Sequence, residues 1–278
     1  MLSYRHSFHA GNFADVVKHV VLVEILDYLI LKKTPLEYID THSGAGLYNL
    51  LSDNAQKLQE HAKGIGQLNV NDFPELAQYF DVIQSFNPPD TFGVYPGSPA
   101  IAQYFLRPQD RAWLFELHPQ DYELLRKHMV NNKRIKVRCE NGFAGLKALL
   151  PPSSRRGLVL VDPSYEIKSD YERAIEHIVV GHKKFSNGIY AIWYPVVDRR
   201  KIDAMETRLI KSGIKNVQRF ELGIDKDSTE RGMTASGMIV INPPWTLFEK
   251  MSDLLPKLAQ QLTQGDELYF KCDVLSAE

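Results

Sequence analysis

The chain has 278 residues, of which 44% are hydrophobic and 24% charged, so it is long enough to bury one large core or two. Its formal net charge of −1 argues against a protein that coats nucleic acid, because phosphate contacts need a local surplus of positive charge. The two cysteines are far apart in sequence, which predicts no metal site and fits a reducing cytoplasm. The most apolar run, residues 16–31, carries three charges, so we expect no membrane span.

The N-terminal segment is rich in aromatic and imidazole side chains. It leads to Asn12, a candidate helix N-cap, after which apolar residues recur at helical spacing. This spacing places Lys18 on a less apolar face, where a lysine is most often a surface residue. His6 and His9 fit an ordered polar tail at least as well as they fit catalysis.

The next segments predict a site for a cofactor that contains ribose. Residues 35–40 indicate a strand, and 41–46 (Thr-His-Ser-Gly-Ala-Gly) supply small residues where the chain would turn into a helix and let backbone amides approach a ligand. The following core strand, 112–115, ends at Glu116. An acid after the second strand characteristically receives ribose hydroxyls in Rossmann-like folds. The loop and the acid together are stronger evidence than either alone.

More chain lies between these two strands than a crossover helix needs. Residues 51–94 combine a polar stretch, helical patterning and an Asn-Pro-Pro-Asp break, so we expect an inserted, mainly helical subdomain. The core would then consist of residues 1–50, with the tail and the start of the first helix in 1–18, and of residues 95–278.

The core is predicted to resume with a helix for which Ser98 is the N-cap and Pro99 the first residue. His118-Pro119 starts another helix, and 135–139 predict a third strand. The exit loop of that strand, Glu140-Asn141-Gly142-Phe143, is placed to meet an adenine ring with amide edges and an aromatic face.

The apolar run Leu158–Val161 predicts a buried parallel strand that ends at Asp162, at the edge of the sheet where ligands bind in open α/β folds. Asp162-Pro163-Ser164-Tyr165 differs at one position from the (Asp/Asn/Ser)-Pro-Pro-(Tyr/Phe/Trp) loop of methyltransferases that act on exocyclic base amines. In such a loop the Asp162 carboxylate and the Pro163 carbonyl would accept adenine N6 hydrogens while Tyr165 stacks on the base. The competing interpretation is a simple turn, which Asp-Pro often opens.

The rest of the chain continues the alternation of helices and strands and predicts an α/β fold with a doubly wound, mostly parallel sheet. The predicted elements are a helix from about 169, a strand at 189–193, a helix at 198–211, and strands at 217–222 and 238–241.

A second loop, Asn242-Pro243-Pro244-Trp245, fits the amine-methyltransferase pattern better than the loop at Asp162. The order of the strands decides between them, because the loop that binds the nucleophile should follow the fourth strand and Asn242 follows the seventh. We therefore predict that Asn242 ends a strand and that Pro243-Pro244-Trp245 leads into the last helix.

Six strings along the chain carry a resemblance to a known family: residues 1–12, 40–46, 95–99, 116–119, 193–197 and 231–238. Together they resemble the RlmJ family, bacterial 23S rRNA adenine-N6 methyltransferases with a Rossmann-like Class I fold. The resemblance implies S-adenosylmethionine as cofactor and 23S rRNA as substrate and partner.

The resemblance also implies site residues. The implied cofactor contacts are Lys18, His42, Gly44, Ser98, Glu116, Asn141, Gly142 and Asp162. The implied catalytic group consists of Asp162, Pro163 and Tyr165, with Tyr4 and His6 near the target base.

Two positions depart from the family pattern. Ser164 replaces a second proline, which removes a conformational restraint on Pro163 but no acceptor atom. Asn141 replaces an expected acid and keeps a carbonyl oxygen that could accept from the cofactor amine, which predicts a weaker contact.

Two other functions stay open: a DNA adenine-N6 methyltransferase, which shares the chemistry, and a catalytically impaired, cofactor-binding RNA module, which Ser164 and Asn141 would suit. We further expect a monomer without an obligate protein partner, in which the insertion helps to hold rRNA beside Asp162.

Overall fold

The computed structural model describes residues 4–89, 91–228, 232–263 and 267–278. Three parts of the sequence-based predictions therefore lie outside the described residues: Met1 to Ser3 of the opening string, Asp90 of the insertion, and Arg231 of the string at 231–238.

The described chain alternates strands and helices. The strands are β1 (Glu37–Asp40), β2 (Leu47–Asn49), β3 (Val94–Pro96), β4 (Arg111–Phe115), β5 (Ile135–Arg138), β6 (Gly157–Val161), β7 (Ile189–Val196), β8 (Val217–Gly223), β9 (Ala235–Ile241) and β10 (Tyr269–Ser276). The helices are α1 (Phe13–Ile30), α2 (Asp53–Leu58), α3 (Glu60–Lys63), α4 (Ala77–Gln84), α5 (Ser98–Phe105), α6 (Pro119–Met129), α7 (Gly142–Leu149), α8 (Asp170–Lys184), α9 (Arg199–Lys211) and α10 (Leu247–Leu262).

Eight strands form one sheet in the order β10-β8-β9-β7-β6-β1-β4-β5. Strands β1, β4, β5, β6 and β7 are parallel, whereas β9 runs antiparallel to β7 and β8, and β10 antiparallel to β8. The chain winds outward in one direction from β1 through β4 and in the other from β6 through β7, so the strand order reverses between β1 and β6. The predicted α/β fold with a doubly wound, mostly parallel sheet is confirmed.

Helix α1 is buried on almost every side because it packs against β9, α5, α10 and α4. Asn12 caps it as predicted, since its side-chain oxygen accepts from the amides of Ala14 and Asp15, each at 3.0 Å. A helix that is apolar all round belongs in a core. Lys18 is consequently a buried residue, only 4% exposed, and the alternative interpretation as a surface lysine is excluded.

The loop at 41–46 leads into a strand and not into the predicted helix. Gly44 and Gly46 have φ of +59° and +82°, which turns the chain so that β2 pairs with β3 as an antiparallel ribbon. This ribbon joins the two ends of the insertion.

Two other local predictions differ from the structure. Gly97, and not Ser98, is the N-cap of α5, because the Ser98 hydroxyl donates to the Asp40 carboxylate and lies inside the first turn. The loop after β5 is shorter than predicted, since Gly142 and Phe143 already belong to α7. The edge strand β10 has no counterpart among the predicted elements.

Residues 51–94, whose assignment as an inserted subdomain stays a prediction, share the hydrophobic core of α1. Ile65, Leu68, Tyr79 and Val82 are buried in the same cluster as the apolar residues of that helix. Their contact with the segment before α1 is also close, since a Cβ on Gly64 would lie 2.2 Å from the Gly11 carbonyl oxygen.

A hydrogen-bonded chain connects the insertion to α1. The hydroxyls of Tyr79 and Tyr95 lie 2.8 Å apart, and the Tyr95 hydroxyl lies 2.8 Å from His19 Nδ1.

Among the described helices, none is long and apolar enough to cross a membrane.

Candidate active site

A cavity of about 770 Å³ opens at the carboxyl edge of the parallel strands. Two acids at strand ends line it, because Glu116 follows β4 and Asp162 follows β6, while Asp40, which ends β1 between them, is fully buried. Every site residue predicted from the sequence lines this cavity: Tyr4, His6, Lys18, His42, Gly44, Ser98, Glu116, Asn141, Gly142, Asp162, Pro163 and Tyr165.

A buried lysine joins two carboxylates at the inner end of the cavity. The Lys18 ammonium donates to Asp162 Oδ2 at 2.8 Å and also lies 2.8 Å from Asp15 Oδ1. It stands 5.4 Å from the centre of the Trp193 ring, a distance at which cation–π attraction contributes. The cation is thus held by α1 and by the end of β6 together.

The N-terminal tail reaches this lysine through Asp15. His6 Nε2 lies 2.8 Å from Asp15 Oδ2, and His6 Nδ1 lies 2.9 Å from the Tyr4 hydroxyl. The Tyr4 ring stacks on His9, which is bonded to Glu60 of the insertion. Tyr4 and His6 are therefore connected to the buried charges and do not form a free tail.

Burial and charge act in opposite directions on these groups. Burial alone would raise the pKa of Asp15, but His6 and Lys18 hold it well below its ordinary value. Burial would lower the pKa of Lys18, but Asp15 and Asp162 raise it. Burial raises the pKa of Asp162, and Lys18 offsets only part of that effect. Lys18 consequently stays protonated, and Asp162 is more basic than an exposed aspartate.

Glu116 lines the cavity on the other side of β1 from Asp162. Its carboxylate accepts from the amides of Gly44 at 2.7 Å and His118 at 2.6 Å, which fixes its orientation. Burial raises the pKa of Glu116 to about 7 despite these bonds. Leu117 beside it is 49% exposed and offers the cavity an apolar face.

Asp40 lies between Asp162 and Glu116, because it ends β1, the strand that separates β6 from β4. It accepts from the Tyr38 hydroxyl at 2.9 Å, the Ser98 hydroxyl at 2.7 Å and the His42 amide at 3.2 Å. Burial raises the pKa of Asp40 to about 6. Burial also lowers the pKa of His42 to about 3, so this ring is neutral and packs edge-on against Phe143.

The start of α7 closes the wall beside Thr41. The Asn141 side-chain oxygen accepts from the amides of Phe143 at 3.0 Å and Ala144 at 3.2 Å, so it caps the helix. A Cβ at Gly142 would lie 1.9 Å from the Thr41 carbonyl oxygen, which explains why glycine stands there. The predicted contacts of Asn141 and Gly142 with a cofactor stay predictions.

The loop after Asp162 is held by its tyrosine. Tyr165 has φ of +55°, and its hydroxyl donates to the Trp193 carbonyl oxygen at 2.5 Å. Its ring lies 4.4 Å from that of Tyr171. These contacts hold Tyr165 at the end of the loop, while its predicted stacking on a base stays a prediction.

The competing loop at Asn242 lies at the opposite edge of the sheet. Because β9 is antiparallel to β7, it ends where β7 begins, and Asn242 Nδ2 donates to the carbonyl oxygens of Ser186 and Gly188, each at 2.8 Å. Its side chain supports a turn far from the cavity. The prediction that Asn242 ends a strand and that the next residues lead into the last helix is confirmed, since α10 begins at Leu247.

We expect Asn242→Gly to leave the rate of methyl transfer per folded molecule within about twofold of wild type. Glycine suits this position because Asn242 has φ of +53°, so the variant removes the amide without backbone strain. Single-turnover assays normalised to the folded fraction would measure the rate. A folded but inactive Asn242→Gly would contradict the assignment of Asp162.

Sequence reasoning missed Asp15 and Asp40. Asp15 carried a signal, because an acid three residues before a lysine in an otherwise apolar helix predicts a buried pair. Asp40 also carried one, since it ends a strand at the same edge as Asp162.

Comparison with known proteins identifies close relatives. Residues 33–270 match the family model described as "Ribosomal RNA large subunit methyltransferase D, RlmJ". Proteins named "Ribosomal RNA large subunit methyltransferase J" from Haemophilus influenzae and Escherichia coli are each 50% identical, over 269 and 264 residues, and cover 94% of both chains. A crystal structure from Legionella pneumophila superimposes with a TM-score of 0.86 at 37% identity and covers 96% of this chain and 98% of that one.

Proposed function

The chain belongs to the RlmJ family of ribosomal RNA large subunit methyltransferases, and from this premise we propose that it methylates the exocyclic N6 of one adenine in 23S rRNA with S-adenosylmethionine as donor. The observation that carries the proposal is that two carboxylates from strands on either side of β1, Glu116 and Asp162, line one cavity. We assign Glu116 to the ribose hydroxyls of the donor and Asp162 to the amine of the substrate.

The cofactor end fits S-adenosylmethionine by its chemistry. Glu116 supplies a fixed carboxylate for the two ribose hydroxyls, and Leu117 supplies an exposed apolar surface for the adenine face. The same cavity is also lined by His42, Ser98 and the first turn of α7. S-adenosylmethionine, when bound, supplies an electrophilic methyl group on a sulfonium centre.

The substrate end is suited to an amine that is a poor nucleophile. The lone pair of adenine N6 is delocalised into the ring, so acceptors for both N6 hydrogens would draw it back onto nitrogen. Asp162 can provide one acceptor, since Lys18 binds only Oδ2 and Oδ1 has no partner in the described part of the chain. The Pro163 carbonyl would provide the other.

Ser164 does not remove either acceptor. The Tyr165 hydroxyl bond to the Trp193 carbonyl holds the loop from its far side, so this tether can replace the restraint of a second proline. This supports an active enzyme over a catalytically impaired RNA module.

The test is labelled-methyl transfer to protein-free 23S rRNA that lacks the modification, to adenine-containing duplex DNA, and to no substrate. We expect label in rRNA alone, with N6-methyladenosine as the only labelled nucleoside after digestion. Label in DNA would support the DNA methyltransferase, and S-adenosylmethionine binding without transfer would support the impaired module.

The affinity for S-adenosylmethionine should depend on the ionisation of Glu116. A pKa of about 7 means that the carboxylate is largely protonated at pH 6, and a protonated acid accepts ribose hydroxyls poorly. We expect the Kd, measured by calorimetry, to be about tenfold weaker at pH 6 than at pH 8.

Glu116→Gln is the matched variant. At pH 8 it should weaken binding by about ten- to a hundredfold, the range for a lost hydrogen bond to a charged group. It should also lose most of the change between pH 6 and pH 8. Wild-type affinity in Glu116→Gln would place the ribose elsewhere in the cavity.

If the insertion contributes to rRNA binding as proposed, its contacts cannot rest mainly on attraction to phosphate groups. Residues 51–94 contain six acidic and two basic side chains, a net charge of −4. Any contact there would depend on hydrogen bonding and stacking. Because the insertion shares the core of α1, its contribution has to be tested by substituting exposed residues and not by deletion.

A further inference from the structure

Asp15 is the least exposed charged group around the cavity after Asp40, and the mechanism above gives it no role. Its two oxygens hold different parts of the molecule. Oδ1 lies 2.8 Å from the Lys18 ammonium, whereas Oδ2 accepts from the Gly11 amide at 2.8 Å and lies 2.8 Å from His6 Nε2. One carboxylate therefore joins α1, the tail and the cation that binds Asp162.

We propose that Asp15 is a positioning residue for methyl transfer, which acts through Lys18 by sharing this cation with Asp162. The inference rests on the proposed function and adds to it a residue that need not touch either substrate. With two carboxylates on one ammonium, Lys18 orients Asp162 through Oδ2 without neutralising it completely. Asp162 then keeps Oδ1 as a strong acceptor for an N6 hydrogen.

Other groups do not compete for Asp15. His19 Nε2 lies 4.0 Å from Asp15 Oδ1, but burial lowers the pKa of His19 to about 3, so the ring is neutral. Lys18 is accordingly the permanent cation at Asp15, and His6 is the other side chain within bonding distance of this carboxylate in the described chain.

A purely structural role for Asp15 also has a specific form. Asp15 stands three residues after the N-cap of α1, where an acid can bond back to the preceding backbone, and its bond to the Gly11 amide does this. Asparagine keeps an oxygen for that bond but carries no charge. The substitution Asp15→Asn therefore separates capping from charge sharing.

The pH profile gives a readout that capping would not change. The ionisable groups that face Asp162 are Lys18 and Asp15 of α1, Tyr4 and His6 of the tail, Tyr38 and Asp40 of β1, and Tyr165 of its own loop. Asp15 raises the pKa of Asp162 by like-charge repulsion. Removing its charge should move the acid limb of kcat to lower pH and lower the plateau, because Lys18 then pairs with Asp162 alone.

The experiment compares wild type, Asp15→Asn, Asp15→Glu and Glu24→Gln in single-turnover rRNA methylation from pH 5.5 to 9, with calorimetry of S-adenosylmethionine. Glu24 is the control, since it is a carboxylate on the same helix whose ion pair with Lys250 lies outside the cavity. We expect Asp15→Asn to lose about tenfold or more in kcat and to shift the acid limb, with a cofactor Kd within about twofold of wild type.

Asp15→Glu keeps the charge but moves the carboxylate by one methylene. It should lower kcat without moving the acid limb, and it keeps the inference testable if Asp15→Asn folds poorly. An active wild type with unchanged kcat and pH profile in both variants would overturn the role of Asp15 alone. A wild type that transfers no methyl group to rRNA would overturn the proposed function and this inference with it.

Discussion

Asp162→Asn should lower kcat for rRNA methylation by roughly a thousandfold, the scale of a lost general-base or charged acceptor interaction. The amide retains one acceptor oxygen but carries no negative charge to draw the N6 lone pair onto nitrogen. The Kd for S-adenosylmethionine should stay within about twofold, because the Glu116 end of the cavity is intact. Single-turnover transfer and calorimetry on the same preparation would measure both.

The fold should survive this substitution. Burial raises the pKa of Asp162, so its charge costs free energy in the folded protein, and Lys18 keeps Asp15 as a partner. Asp203→Asn on the exposed face of α9 is the matched control and should be fully active. Activity within tenfold of wild type in Asp162→Asn would refute the catalytic assignment.

Lys18→Met should cost about 3 to 5 kcal/mol of unfolding free energy at pH 8, because two buried carboxylates lose the cation that they share. The cost should depend on pH. Without Lys18, the folded-state pKa of Asp162, which burial already raises, would rise further above the unfolded value, so stability is lost as pH rises through that interval. Urea unfolding at pH 5 and pH 8 should show a small deficit at pH 5 and a large one at pH 8.

The double variant Lys18→Met/Asp15→Asn provides the control. It removes one of the two uncompensated charges and should recover part of the stability lost at pH 8. A single variant as stable as wild type at pH 8 would show that the buried charges do not depend on Lys18.

The sequence predicted the site residues that directly follow a strand of the parallel sheet. Asp162 and Glu116 follow short apolar runs, and the position of such acids in a parallel sheet follows from strand direction alone. The opposite location of Asn242 followed from strand order for the same reason.

The features that the sequence did not predict depend mostly on partners that are distant along the chain. The spacing along α1 did not predict the contact of Lys18 with Asp162, because the two residues are 144 positions apart in the chain. The cap of α5 was shifted by one residue because the Ser98 hydroxyl is engaged by Asp40, 58 positions earlier. Strand β10 was not predicted because it is a half-exposed edge strand, in which buried and exposed side chains do not alternate.

The junction between the insertion and α1 has a consequence for how the chain folds and diversifies. Since Gly64 packs on Gly11 and Tyr79 reaches His19 through Tyr95, neither part can open without uncovering the other. The two parts therefore form one cooperative folding unit with a shared fate on heating. Exchange of this segment with that of a relative should therefore succeed only if the matching face of α1 is exchanged as well.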